Sequence, residues 1–132
     1  MVIHFRLDPR LGTPTYLQLA QQVRRALIQG VLAPGDRLPT AREVVNALTI
    51  NPNTVLKAYA ELERDGLVIS RPGLGTFIAD TAPAPIADAI QRRLRPGLDA
   101  WLAKARAAGL NDEAISALFT LAVDDLRQAG VA

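Results

Sequence analysis

The chain of 132 residues has no cysteine and a single histidine, His4. The first absence excludes disulfides, thiolate nucleophiles and cysteine-ligated zinc; the second excludes a histidine-rich metal site. No run of about 18 apolar residues occurs, so no transmembrane helix is expected. The opening MVIHFRLDPR lacks a signal peptide's long apolar core. A soluble, cytoplasmic protein is the expectation. No nucleophile–base pair, paired-carboxylate motif or phosphate loop is present, so no catalytic residue, cofactor or metal is assigned. A strong excess of one charge is missing too: the formal net charge is +2. Nine Lys/Arg and seven Asp/Glu fall in residues 1–80, and six of each in residues 81–132. Whether the chain meets nucleic acid is therefore decided by where charges sit, not by how many there are.

The length allows one full domain and a small appendage. Ile3, Phe5 and Leu7 alternate with His4, Arg6 and Asp8, a short period-2 strand or arm. Thr13-Pro14 is a helix start, a capping hydroxyl followed by proline at the first helical position. Leu17, Ala20, Val23, Leu27 and Ile28 then recur at helical spacing as a buried stripe, and Gly30 is a stop.

The segment LPTAREVVNALTINPNTVLKAYAELERDG, from Leu38 to Gly66, carries two further start signals. Thr40 and Glu43 spell a capping box, opening a helix to about Leu48 with Val44, Ala47 and Leu48 inward. Asn51-Pro52 opens another, to about Asp65. In this third helix Val55, Ala58, Tyr59 and Leu62 share one side; Asn53, Thr54, Lys57 and Glu61 lie on the other. Two strands follow, at residues 67–70 and 76–79, joined by Pro72-Gly73-Leu74-Gly75. A helix-turn-helix followed by a hairpin is a winged helix.

The front of the third helix is polar or basic, and a helix N-terminus adds partial positive charge. Asn bridges adenine by two hydrogen bonds, and Lys donates to guanine or phosphate. Read alone, Asn53 and Lys57 are the wet side of a surface helix. On the second helix of a helix-turn-helix they stand where DNA is met. Arg42 reads as a phosphate or base contact, or else as a partner of Glu43 or Asp36. Arg71 reads as a flanking phosphate contact or a plain surface charge. The acids Glu61, Glu63 and Asp65 favour a second possibility, a winged helix that binds protein instead of DNA.

Thr81-Ala82-Pro83-Ala84-Pro85 reads as a linker, dividing a domain over residues 1–80 from a helical tail over residues 81–132. Helical pattern resumes near Ile86; Leu94, Leu98, Trp101, Leu102 and Ala105 form a stripe, and Pro96-Gly97 predicts a kink or two pieces. Asn111-Asp112 opens a last helix. A tail this short buries too little surface to stand alone. Leu94, Leu98, Trp101 and Phe119 are its candidate anchors, within the chain or across a homodimer. The fold class expected is α+β, mainly α.

The runs PTYLQLAQQV, GVLAPGDRLPTAREV, NPNTVLKAYAELERDGLV and PGLGTF, between Pro14 and Phe77, resemble the GntR family of bacterial transcription regulators. The resemblance implies a winged helix that binds a palindromic operator, double-stranded DNA, as a dimer. It implies DNA contact at Thr40, Arg42, Asn51, Asn53, Thr54, Lys57, Gly73 and Gly75. Leu74 departs from the pattern, which places Lys or Arg between the wing glycines. The short tail is similar to the YtrA subfamily, implying dimerisation through the tail and control of transporter genes.

Overall fold

The computed structural model describes residues 3–131. It divides into two units, one up to Ala87 and one from Asp88 onward. The first holds α1 (Thr15–Ile28), α2 (Ala41–Leu48), α3 (Pro52–Arg64) and the hairpin β1 (Val68–Arg71) and β2 (Gly75–Ile78). The second holds α4 (Asp88–Ala107) and α5 (Asp112–Val131). The class is α+β, dominated by helix, and the first unit is a winged helix.

Its core is mainly aliphatic, with Phe5 and Tyr59 the aromatic members. Leu19, Val23 and Leu27 of α1 meet Val44 of α2 and Val55, Ala58 and Leu62 of α3, with Leu32, Leu38 and Ile78 closing the wing side. The α1 stripe is turned from its expected setting: Leu19 and Ala26 are buried, Leu17 is half-buried and Ile28 is exposed. Ala47 of α2 is likewise exposed rather than inward. Arg24 pairs with Asp65 and ties α1 to the end of α3.

Residues 3–8 form an arm and not a strand. Ile3 and Phe5 are buried and His4 is exposed, so the alternation holds. The backbone partner, however, is a side chain. The Arg6 N–H donates to Gln22 Oε1 (2.9 Å), and Gln22 Nε2 donates to the Arg6 carbonyl (2.6 Å). Buried Gln18 adds a second clamp: it accepts from the Asp8 N–H (2.9 Å) and donates to the carbonyls of Asp8 and Thr13 (3.0 Å each). The Thr13 hydroxyl does not cap α1; Pro14 occupies the cap position, with ψ 147°, and no side chain bonds there.

The Tyr59 hydroxyl is buried and donates to the Pro39 carbonyl (2.5 Å), which fixes the approach to α2 against α3. Burial first, and the Glu43 carboxylate second, push its pKa well above the ordinary 10. The folded state thus keeps the phenol protonated where the unfolded chain ionises it. Stability tied to this group is complete below about pH 10 and falls above it, by up to about 1.4 kcal/mol per pH unit. Denaturant melts at about pH 9 and pH 11 should show that loss in the parent protein and less of it in Tyr59→Phe.

In the hairpin, Val68 pairs with Ile78 and Arg71 with Gly75. The Leu74 N–H donates to the Arg71 carbonyl (2.9 Å). Pro72 and Gly73 are the central residues, and Gly73 takes φ +75°, as a type II turn requires. Residues 35–38 back the other edge of β2: the Leu38 N–H donates to Thr76 O and the Ile78 N–H to Asp36 O (2.8 Å each).

In the second unit α4 runs unbroken through Pro96, and the Arg95–Asp99 ion pair (2.7 Å) spans that position. Gly109, at φ +93°, ends the helix, and Asn111 Oδ1 accepts from the Ala114 N–H (2.9 Å) to start α5. The helices fold back on each other near this turn. Trp101 and Phe119 bring their rings to 5.0 Å, and Ala105 and Ile115 are buried.

Candidate nucleic-acid interface

Two caps set the interface. Thr40 Oγ accepts from the Glu43 N–H (3.1 Å) at α2. Asn51 Oδ1 accepts from the Asn53 N–H (2.8 Å) at α3, with Pro52 at the first helical position. Each side-chain oxygen satisfies a donor that the helix leaves unpaired. The capping box at α2 is half-built: the Glu43 carboxylate lies 4.0 Å from the Arg37 guanidinium instead of returning to Thr40. It turns to Arg37 and not to Arg42, whose side chain is exposed in the first turn of α2.

Burial of Val55, Ala58, Tyr59 and Leu62 turns the opposite side of α3 outward. Asn53 and Lys57 are exposed there, and Thr54 is half-buried at the flank. The Lys57 ammonium sits 4.1 Å from the centroid of the Tyr16 ring, a cation–π contact that orders a long side chain against the start of α1. Glu61 is not a free acid on this face, because it pairs with Arg64 (3.2 Å).

The wing presents Arg71, Pro72, Gly73 and Leu74 to solvent, and Gly75 is half-buried. The Arg71 guanidinium lies 5.6 Å from the Phe77 ring centroid. Leu74 is 65% exposed at the tip. Gly75 takes φ +128°, and a Cβ there would stand 3.0 Å from Arg37 Nε, so this glycine admits the arginine to the wing base.

The first unit therefore carries all nine candidate contact residues: Thr40 and Arg42 at α2, Asn51, Asn53, Thr54 and Lys57 at α3, and Arg71, Gly73 and Gly75 on the wing. Sequence reasoning missed four others. Arg37 is fixed by its bridge to Phe77, a contact between segments 40 residues apart in the chain that no local pattern announces. Tyr16 lies outside the apolar stripe read for the first helix and is half-buried. Arg64 and Leu56 lie on the outer side of α3, where helical spacing alone would have placed them. Among the described residues no cluster of His, Asp or Glu is arranged to hold a metal, and no helix is long and apolar enough to cross a membrane.

The chain is 37% identical over 108 residues to the transcriptional repressor YtrA of Bacillus subtilis, covering 82% of this chain and 83% of that protein. YtrA from Sulfolobus acidocaldarius, a GntR-family transcription factor, superposes with a TM-score of 0.52 at 26% identity, over 93% of this chain and 99% of that one. The DNA-binding domain of AraR, in complex with operator ORX1, superposes with a TM-score of 0.50 at 28% identity, over 60% and 95%. Residues 15–78, from the first residue of α1 to the last of β2, match the bacterial regulatory proteins of the gntR family. The chain belongs to that family, and the YtrA repressor of Bacillus subtilis is among its relatives over most of its length.

Proposed function

We propose that the protein is a DNA-binding transcriptional repressor, working in the cytoplasm as a homodimer on a palindromic operator. One α3 would enter the major groove of each half-site. The observation that carries this reading is the outer side of α3: Asn53 and Lys57 exposed beside a capped helix start, with Arg42 on the adjoining helix. The likeness to the operator-bound AraR domain supports it. The acids that favoured a protein-binding winged helix support it as well, since all three have intrachain partners. Glu61 pairs with Arg64, Asp65 pairs with Arg24, and Glu63 accepts from Ser70 Oγ (2.8 Å). No catalytic role is assigned. We also propose that it controls transporter genes, as the subfamily resemblance implies, and mapping the binding sites on its genome checks it.

Selection from a random duplex pool tests the reading. The recovered sequence should be a palindrome, and the affinity should fall steeply with salt as counterions are displaced. Recovery of no preferred duplex would sink it. Arg42→Ala should weaken binding to all duplexes alike and lower the salt slope by about one for each phosphate it no longer neutralises. A loss confined to one base pair would instead make Arg42 a base reader.

A further inference from the structure

Leu56 is a large apolar side chain in the first half of α3, and it is 55% exposed. Leu56 and Ala60, four residues apart, form one exposed strip of the helix; Asn53 and Lys57 form a second strip beside it. The apolar strip lies toward the wing, where Leu56, Tyr59 and Ala60 line a shallow recess whose other walls are polar or charged, from Glu63, Arg64, Ser70 and Thr76. An exposed leucine elsewhere on a surface says little. Here it stands on the helix proposed to meet base edges, next to an asparagine suited to adenine.

The major groove offers a leucine one apolar group, the 5-methyl of thymine. Its other distinguishing groups are hydrogen-bond donors and acceptors, and the C–H edge of cytosine lacks the methyl's bulk. A leucine pressed on a cytosine amine or a guanine carbonyl removes water from it and gives nothing back. We propose that Leu56, with Ala60 behind it, determines specificity by packing on a thymine 5-methyl group in each half-site. This rests on the DNA-binding reading of α3 and names part of what that helix reads.

Deoxyuridine in place of thymine removes the methyl and keeps the pairing and the O4 acceptor. The probe is the duplex recovered from the random pool, with its thymines replaced one at a time, titrated with the full chain. In the parent protein one thymine of each half-site should lose about fourfold in affinity per methyl removed. Leu56→Ala should bind the thymine and deoxyuridine forms of that site equally, so the two changes are not additive. Leu56→Met, which keeps apolar bulk, should retain the methyl dependence. The inference is overturned if no thymine methyl matters to the parent protein, a result that needs no variant. It is also overturned if Leu56→Ala loses as much as the parent at the same thymine, or if Leu56→Met loses the dependence. A palindrome recovered without methyl dependence removes Leu56 from the reading and leaves DNA binding intact. Recovery of no duplex removes both.

Discussion

Alanine at Asn53 or at Lys57 is expected to cut operator affinity about 30-fold or more while leaving the fold in place. A good side-chain contact to a base discriminates by about 1–3 kcal/mol. In a symmetric complex each substitution acts at both half-sites, so about 2–6 kcal/mol is at stake. The cost to folding is small for physical reasons. Both side chains are exposed, and neither belongs to the core. The backbone N–H of Asn53, which the Asn51 cap uses, survives in Asn53→Ala. Lys57→Ala forfeits only its contact over Tyr16, about 0.5–1 kcal/mol. The two positions should differ in kind. Losing Asn53 should relax the base preference at one position, whereas losing Lys57 should lower the salt slope if its ammonium meets phosphate. Titration of the selected duplex at two salt concentrations, beside thermal melts, separates these effects. Normal binding by both variants would show that the outer side of α3 does not meet the groove.

What could be read from the chain and what could not divides along the range of the interactions. The caps at Thr40 and Asn51 were legible because a side-chain oxygen reaches an N–H two or three residues away. The wing turn was legible through Pro72 and Gly73, but each strand sits one residue nearer the turn than its expected bounds, with the same pairing. The hydrogen bond closes between Arg71 and Leu74, so Arg71 and Gly75 remain in the ladder, and the strands are 68–71 and 75–78. The arm shows the opposite case. Its alternation forecast which side chains are buried, but its hydrogen bonds go to Gln18 and Gln22 of α1, 10 and 16 residues away, which no local pattern announces. The same clamp explains the missed cap, since Gln18 takes the Thr13 carbonyl and Pro14 becomes the boundary of the helix. Pro96 left a kink or two pieces open. It lacks an N–H to donate, yet α4 continues past it, so the two-piece alternative falls. Leu56 belongs to neither of the two sides read for α3, although helical spacing alone puts its angle off the buried stripe.

The second unit carries the remaining large prediction. Glutamate at both Leu94 and Leu98 is expected to turn the proposed dimer into monomers and to weaken operator binding by about 10²–10⁴-fold, the usual yield of linking two binding modules. The chain buries only the end of this unit near the turn, at Ala105 and Ile115, with Trp101 and Phe119 in ring contact. Farther from the turn the apolar residues stay open to water: Leu94 is 60% exposed and Leu126 73%. Two helices with so little buried surface gain stability by covering those residues, and a second copy of the chain offers the same surface in return. Leu94 and Leu98 are the better targets than Trp101, because the tryptophan also holds α4 to α5 and its loss would confuse unfolding with dissociation. Sedimentation at micromolar concentration should give half the parent mass, with helicity unchanged. The monomer should still touch one half-site, so its salt slope should fall to about half that of the dimer, because one set of phosphate contacts remains. A variant that stays dimeric would move the interface away from this part of α4. A parent protein that is itself monomeric at that concentration would leave the operator as the only element pairing two copies.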